Sequence, residues 1–125
     1  THVLLQAAVQ AGSGRLVLIS DIRLFDAVEP DLVVSSGWQP RPQATAESLA
    51  PYLAELTCRE HARVGLLEVI NLRMGALGAP DGTSAIDAID AVERALRVDV
   101  RGTGYRWLQK HIVSAGRFAS TWEDA

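Results

Sequence analysis

Apolar and polar residues follow one another along the chain in blocks whose lengths predict three strands. The segment "RLVLIS" at Arg15–Ser20 has four apolar residues in succession, which suits a strand buried on both faces and is too short for an ordinary helix. "LLEVINLRM" at Leu66–Met74 repeats this pattern, and "YRWLQKHIVS" at Tyr105–Ser114 alternates loosely. We therefore predict a sheet that contains these segments.

Two helices are predicted directly from the spacing of apolar residues. In Thr1–Gly12 apolar residues recur four positions apart, and Gly12 is a suitable C-terminal stop. "SAIDAIDAVERALRV" at Ser84–Val98 is the clearest helix, because Ser84 and Asp87 resemble a capping box. Its large apolar residues form a single stripe: Ile86, Ile89, Val92 and Leu96.

The third helix lies between the first two strands. We predict it over Leu49–Arg63 with Ser48 as its N-cap, because a start at Thr45 would enclose Pro51 at a cost of about 3 kcal/mol. The resulting order, α-β-α-β-α-β, indicates a parallel sheet with crossover helices. The predicted fold class is therefore α/β, in a single domain over residues 1–125.

Composition excludes several classes of protein. Of the 125 residues, 48% are hydrophobic and 22% charged, which indicates a globular chain rather than a disordered one. The net charge is −3 and the basic residues are scattered, so we expect no nucleic-acid partner and no membrane surface. No apolar run approaches the roughly 20 residues of a membrane span, and no secretory leader is evident. Cys58 is the single cysteine, which fits a reducing cytoplasm.

No metal or nucleophile site is predicted from local spacing. The histidines show no ligand pattern with Cys58 or with one another: His2, His61 and His111. We interpret Cys58 as a small core residue, His61 as a solvated one, and His111 as a histidine in a strand that is either packed or exposed. Asp87, Asp90 and Glu93 recur at three-residue spacing, so they are read as a solvated helix face rather than an acid/base pair.

The glycine-rich segments do not form a dinucleotide fingerprint. A phosphate-binding loop follows a strand and opens a helix, so that its backbone N–H groups face the pyrophosphate. "GSGR" at Gly12 precedes a strand instead, and "RGTGYR" at Gly102 also leads into one. Both are predicted to be turns.

Four longer strings, in the same order, resemble one protein family. "LLQAAVQAGSGRLVLIS" is similar to "LLEAARAAGVKRVVYIS", and "ELTCREHARVGLLEVINLRMGALG" to "EELCREYAREHGLEVVILRPGNVYG". "SAIDAIDAVERAL" and "YRWLQKHIVSAGRF" resemble the helix and strand that follow. The family is the extended short-chain dehydrogenase/reductases, the NAD(P)-dependent nucleotide-sugar epimerases and dehydratases, and the likeness is to the C-terminal part. It implies the corresponding portion of a Rossmann-like parallel sheet.

The resemblance also implies where the catalytic groups should lie. The family's serine or threonine precedes an aromatic residue by four positions, and counting back from Phe25 gives Asp21. Aligning Arg73 with the family's Leu-Arg-Pro and counting back without a gap puts Glu47 at the tyrosine and Pro51 at the lysine. Since neither proton-transfer group is retained, we expect no catalytic residue in this segment.

Using the nearest tyrosine does not restore the motif. Tyr52 would shift the frame by five residues and put the uncharged Leu56 at the lysine position. If the chain is active, the resemblance implies an oxidoreductase or epimerase acting on a nucleotide sugar, completed by residues outside this segment.

The ends of the first two strands are the predicted cofactor contacts. By resemblance they flank the nicotinamide of NAD or NADP: Ile19, Ser20, Asp21, Met74, Gly75 and Ala76. Met74 stands where the family has proline, and a plain alternative is that Ser20 and Asp21 only cap a strand. We do not expect the cofactor to bind this segment alone.

The first half of such a fold has no counterpart in the chain. Thr1 is not an initiator methionine, so we expect processing or a longer polypeptide. Because a buried parallel strand would keep an open edge, we expect a partner: a second copy in a homo-oligomer, or the missing N-terminal half. A non-catalytic assembly module that retains the fold is the alternative to a degenerate enzyme.

Overall fold

The computed structural model describes residues 1–100 and 105–124 and has an α/β architecture. In that part of the chain, helices and strands alternate as predicted. The helices are α1 (His2–Gln10), α2 (Ala46–Arg63) and α3 (Ala85–Arg97), and the strands are β1 (Arg15–Asp21), β2 (Glu68–Met74) and β3 (Trp107–Ile112). A short 3₁₀ turn at Ile22–Phe25 follows β1, and Asp21 caps it by accepting a hydrogen bond from the backbone N–H of Arg23.

The strands form a small open parallel sheet. Their spatial order is β1-β2-β3, with Arg15 opposite Glu68 at one end of the first pair and Asp21 opposite Met74 at the other. The prediction of a parallel sheet that contains the first two apolar runs is confirmed, and the two strands are neighbours in it. The outer edge of β1 pairs with no other strand among the described residues.

Helices cover both faces of this sheet. On one face, Leu5 of α1 and Cys58 of α2 pack around Val69 of β2. On the other face, Ala91 and Ala95 of α3 pack against alternate residues of the sheet. The prediction that Cys58 is a core residue is confirmed, and burial raises the pKa of its thiol.

The two crossover connections have opposite hands. Both steps, β1 to β2 and β2 to β3, move in the same direction across the sheet, but α2 and α3 lie on opposite faces. Since about 98% of parallel crossovers are right-handed, one of these two connections is of the rare left-handed kind. This feature could not be derived from the order of elements in the sequence.

The start of α2 corrects the prediction of Leu49 with Ser48 as its cap. The helix begins at Ala46, and the side chain of Thr45 accepts a hydrogen bond of 3.3 Å from the backbone N–H of Ser48. Pro51 therefore lies inside the helix, where it removes one intrahelical hydrogen bond. The Thr45 cap and a further hydrogen bond, from the N–H of Gln43 to the Ser48 hydroxyl, stabilise the earlier start.

Most of the apolar stripe of α3 does not face the sheet, and of its four residues Val92 packs against the core. The side chains of Ile86, Ile89 and Leu96 are 80%, 60% and 62% exposed, whereas Ala91 and Ala95 are buried. Alanine lets the helix axis approach the strands closely, so the small residues occupy the contact and the large ones are left outside it. The Ser84 cap is confirmed, since its hydroxyl accepts from the N–H of Asp87 at 3.1 Å.

The helices are amphipathic rather than uniformly apolar. The longest, α2, has 18 residues and carries charged side chains along its length. Across residues 1–100 and 105–124, no helix combines the length and apolar character that crossing a bilayer requires.

Candidate functional site

The carboxyl ends of β1 and β2 enclose a crevice of about 310 Å³. This is where open α/β sheets bind their ligands. Five of the six predicted cofactor contacts line it, together with Pro51 and Leu77: Ile19, Ser20, Asp21, Met74 and Gly75. The sixth, Ala76, is exposed in the following loop and does not line the crevice.

The polar groups of this crevice are already engaged within the protein. The hydroxyl of Ser20 donates to Glu55 Oε2 at 2.5 Å. The backbone N–H of Gly75 donates to Thr83 Oγ1 at 2.8 Å, and the Thr83 hydroxyl donates in turn to the carbonyl of Ile112. A Cβ atom on Gly75 would lie 2.8 Å from the Cα of Gly82, so glycine is required for the close approach of these loop segments. The crevice can hold a planar ring against its apolar lining, but these groups are not free to bind a phosphate.

The carboxylate of Asp21, at the end of β1, pairs with Arg23 two residues further along the chain. Its carboxylate accepts hydrogen bonds from the side chain of Arg23, with Oδ2 lying 2.6 Å from Nη2. This contact raises the pKa of the Arg23 guanidinium, first through the hydrogen bond and then through the charge of Asp21. The carboxylate is therefore a partly neutralised acceptor, and it offers no donor to a substrate oxygen.

The three residues assigned to the family's catalytic positions lie around one cavity. Asp21 at the end of β1 and Glu47 and Pro51 of α2 line a space of about 140 Å³ next to the crevice. Asp26 also lines it, and burial raises the pKa of that carboxyl, followed in size by the negative charge of Asp21. With three carboxylates and only Arg23 to balance them, this cavity disfavours an anionic ligand.

No tyrosine and lysine meet at this position in the described chain. Lys110, the only lysine in the sequence, lies on β3, where its ammonium donates to the carbonyl of Asp124 and sits 5.9 Å from the ring centroid of Trp122. Tyr52 packs in a separate cluster with Phe25.

A buried polar network beside the crevice was not predicted. Ser20, Arg73 and His111 lie opposite one another across the three strands and share the face that α2 covers. The side chain of Glu55, on the helix that covers this face, contacts Ser20 and Arg73. Arg73 is 2% exposed and Glu55 5%, although both carry charge.

The geometry of the network satisfies both charges. Arg73 donates through Nε and Nη2 to the two carboxylate oxygens of Glu55, at 3.0 and 2.7 Å. Its Nη1 lies 3.1 Å from His111 Nε2, and its Cζ lies 5.0 Å from the ring centroid of Phe25. Bidentate pairing of this kind offsets the cost of burying two charges.

His111 is held neutral in this network. Burial, then the positive charge of Arg73, lowers the pKa of its imidazole to about 4. Of the two sequence-based alternatives, the packed histidine is the one observed. The sequence gives only a weak signal for this network. It places one polar residue of the network, Ser20, Arg73 or His111, in each of three mainly apolar strands, and only the strand register shows that these positions are adjacent.

The remaining histidine and cysteine positions form no metal site. In the described ranges, no group of three or more histidine, cysteine, aspartate or glutamate side chains is arranged to hold a metal ion. His61 is half-buried rather than fully solvated, and its Nδ1 lies 2.9 Å from the carbonyl of Thr57.

Comparison with known proteins assigns no family to this arrangement. A scan against protein-family models gives no match. Searches of curated proteins and of solved structures give no match either.

Proposed function

We propose that the chain is a short-chain dehydrogenase/reductase-like segment of the nucleotide-sugar epimerase/dehydratase type that has lost its catalytic groups. One observation carries the proposal. Asp21, Glu47 and Pro51, which the resemblance assigns to the serine, tyrosine and lysine positions, come from two different elements and line one cavity at the carboxyl end of β1. Glu47 and Pro51 share one face of α2 because they are four residues apart, but the alignment by itself gives no reason for Asp21 of β1 to lie against that face.

The chemistry of these side chains supports the loss of catalysis. Hydride transfer at a carbonyl needs a group that gives or takes a proton, and the tyrosine of such enzymes does so with the help of lysine. A glutamate has an ordinary pKa near 4.3, far below that of tyrosine near 10, and proline carries no charge. Asp21 adds a carboxylate where a hydrogen-bond donor to the substrate is needed.

The crevice could hold the nicotinamide end of NAD or NADP. Its lining is mostly apolar, with Ile19, Met74 and Leu77 available to contact a flat ring. If a cofactor bound, the ring would supply hydride chemistry, while the residues of this chain would only position it and exclude water. Since the Ser20 hydroxyl and the Gly75 N–H are already hydrogen-bonded within the protein, this segment alone is expected to hold the cofactor only weakly, in the millimolar range, worth about 4 kcal/mol.

If this chain is part of a larger Rossmann-like sheet, the crossovers of that sheet must match those observed here. One of the connections β1–β2 and β2–β3 must be right-handed and the other left-handed. The buried, unpaired Cys58 is compatible with the cytoplasm proposed from cysteine usage.

Titration with NAD⁺ and NADP⁺ tests the proposal. We expect amide resonances of the crevice residues to shift in two-dimensional NMR spectra at millimolar cofactor, with no reduction of the cofactor when a nucleotide sugar is added. Leu77→Asp replaces an apolar contact of the ring with a charged side chain and should weaken binding several-fold. Val64→Asp, at an exposed position outside the crevice, should leave it unchanged.

Two results would contradict this proposal. Resonances that stay unchanged at about 10 mM cofactor, well above the expected affinity, would favour an assembly module. Reduction of the cofactor by a nucleotide sugar would instead show a working oxidoreductase.

The assembly module is the second candidate, and one observation favours it. Ile19 on the free edge of β1 is exposed, and so are Ile86, Ile89 and Leu96 of α3. On the opposite side of α3, Asp87 accepts a hydrogen bond from Ser114, so that side faces the segment after β3. By the helical repeat, Ile89 and Leu96 then lie on the β1 side of α3, directed away from the sheet.

A second copy of the chain could cover this surface. A twofold axis beside β1 would pair the two β1 strands antiparallel and bring the two apolar stripes of α3 together. This arrangement satisfies the edge hydrogen bonds and buries the exposed isoleucines at the same time.

Light scattering coupled to size exclusion tests the second candidate. We expect a dimer at tens of micromolar, and a monomer for Ile89→Glu, because a charge in the contact would be buried without a partner. Leu53→Glu changes an exposed leucine of α2 on the other face and should leave the dimer intact. A wild-type monomer, or equal disruption by both variants, would rule out this interface.

A further inference from the structure

A second cavity lies on the α2 face of the sheet, away from the carboxyl ends of β1 and β2. It encloses about 200 Å³ between the loop at residues 37–40, α2 and β3. The residues relevant to ligand recognition are Trp38, Tyr52, Arg59, Trp107 and Gln109. None of the residues assigned to the catalytic or cofactor positions contributes to its lining.

Arg59 is the distinctive group of this cavity. Its guanidinium carbon lies 5.9 Å from the ring centroid of Tyr105 and 5.8 Å from that of Trp107. Its Nε donates to the Tyr105 hydroxyl at 2.6 Å. The two terminal nitrogens contact no acceptor within residues 1–100 and 105–124, so a planar pair of donors remains for a ligand.

The charge balance of the lining favours an anion. Glu55 and Arg73 also line the cavity, but their bidentate pairing neutralises both. Arg59 then supplies the net positive charge of the lining, and the carboxylate nearest to it in sequence, Glu60, lies outside the cavity. The fork of a guanidinium matches the two oxygens of a carboxylate.

The walls favour a flat, small ligand. Trp38 and Trp107 contribute aromatic surface, against which a planar ring stacks well. The volume is below the roughly 300–1,000 Å³ of pockets for drug-sized ligands. We infer that this cavity is a binding site for a small aromatic carboxylate, whose ring lies against the tryptophans while its carboxylate pairs with Arg59. This inference does not depend on the function proposed above.

Titration of the full chain with benzoate tests the inference. Two of the three tryptophans line the cavity, so their emission should change in a saturable way as benzoate is added. Benzamide, which has the same ring without the charge, should bind about threefold to fivefold more weakly, as should benzoate to Arg59→Gln, because Arg59 is exposed to solvent. Arg63→Gln is the matched control, since Arg63 lies one turn further along α2, pairs with Glu60 and does not line the cavity.

The alternatives give distinct results. Equal affinities for benzoate and benzamide would overturn the role of Arg59, as would equal losses in the Arg59 and Arg63 variants. The absence of a saturable change up to about 20 mM benzoate would overturn the site itself, because that limit corresponds to only about 2 kcal/mol of binding. If Arg59→Gln does not fold, Arg59→Lys keeps the charge without the planar fork and should still weaken benzoate measurably.

Discussion

Replacing Arg73 with methionine is expected to lower the free energy of unfolding by about 3–5 kcal/mol. The substitution removes both hydrogen bonds that the Glu55 carboxylate accepts from Arg73 and leaves that carboxylate buried with only the Ser20 hydroxyl as a donor. A buried charge without a counter-ion is far more costly than the loss of a surface pair. Urea or thermal denaturation followed by circular dichroism measures the change.

A variant of an exposed ion pair serves as the control for Arg73→Met, and a double variant tests whether removing both buried charges restores stability. Arg63→Met breaks the exposed pair with Glu60 and should cost less than about 1 kcal/mol. The double variant Glu55→Leu/Arg73→Met removes both charges and should recover much of the loss, because apolar replacements of a buried ion pair are often neutral or better. A single Arg73 variant as stable as Arg63→Met would mean that the carboxylate is not buried in solution.

Lowering the pH from 7 to 5 is expected to destabilise the protein by about 2 kcal/mol through His111 alone. The folded pKa of His111 is lowered to about 4 from its ordinary 6.5, so in this range the unfolded chain takes up a proton that the folded chain does not. The stability contributed by the neutral imidazole is complete above pH 6.5, falls as the pH drops below it, and is lost by about pH 4.

Equilibrium denaturation at several pH values measures this effect. His111→Gln should lose this part of the pH dependence, whereas His61→Gln, whose side chain lies outside the network, should keep it. An unchanged slope in the His111 variant would show that the histidine titrates equally in both states.

The strands were predictable because their signal is local. Runs such as Arg15–Ser20 are apolar at nearly every position, since a parallel strand between two helical layers is buried on both faces. The structure extends the first strand to Asp21 and begins the second at Glu68, two residues later than predicted, because Leu66 belongs to the turn after Gly65. Boundaries of this kind depend on turn geometry as well as hydrophobicity.

The helix errors have a different cause. The start of α2 depended on weighing Pro51 against the Thr45 cap, and the prediction gave the proline too much weight. In α3 the periodicity was correct, but it did not indicate which side of the helix meets the sheet. Ala91 and Ala95 pack closely against the sheet with Val92 beside them, and Ile86, Ile89 and Leu96 are left exposed.

The residues of the candidate sites also differ in whether the sequence indicates them. The resemblance in sequence indicates Asp21, Glu47 and Pro51, whereas the network of Glu55, Arg73 and His111 is visible only in the structure. No spacing rule connects a helix residue to polar residues on two separate strands. Their meeting depends on register and on which face α2 covers.

By itself, the sequence determined the alternation of helices and strands, the buried character of the strands and the capping of α3, because these follow from neighbouring residues and the two repeat lengths of 3.6 and 2. Only the tertiary structure decided the hands of the crossovers, the exposed apolar stripe, the buried Arg73–Glu55 pair and the cavity around Arg59. Each of these joins residues that are far apart in the chain, so it depends on how the elements pack rather than on any local pattern.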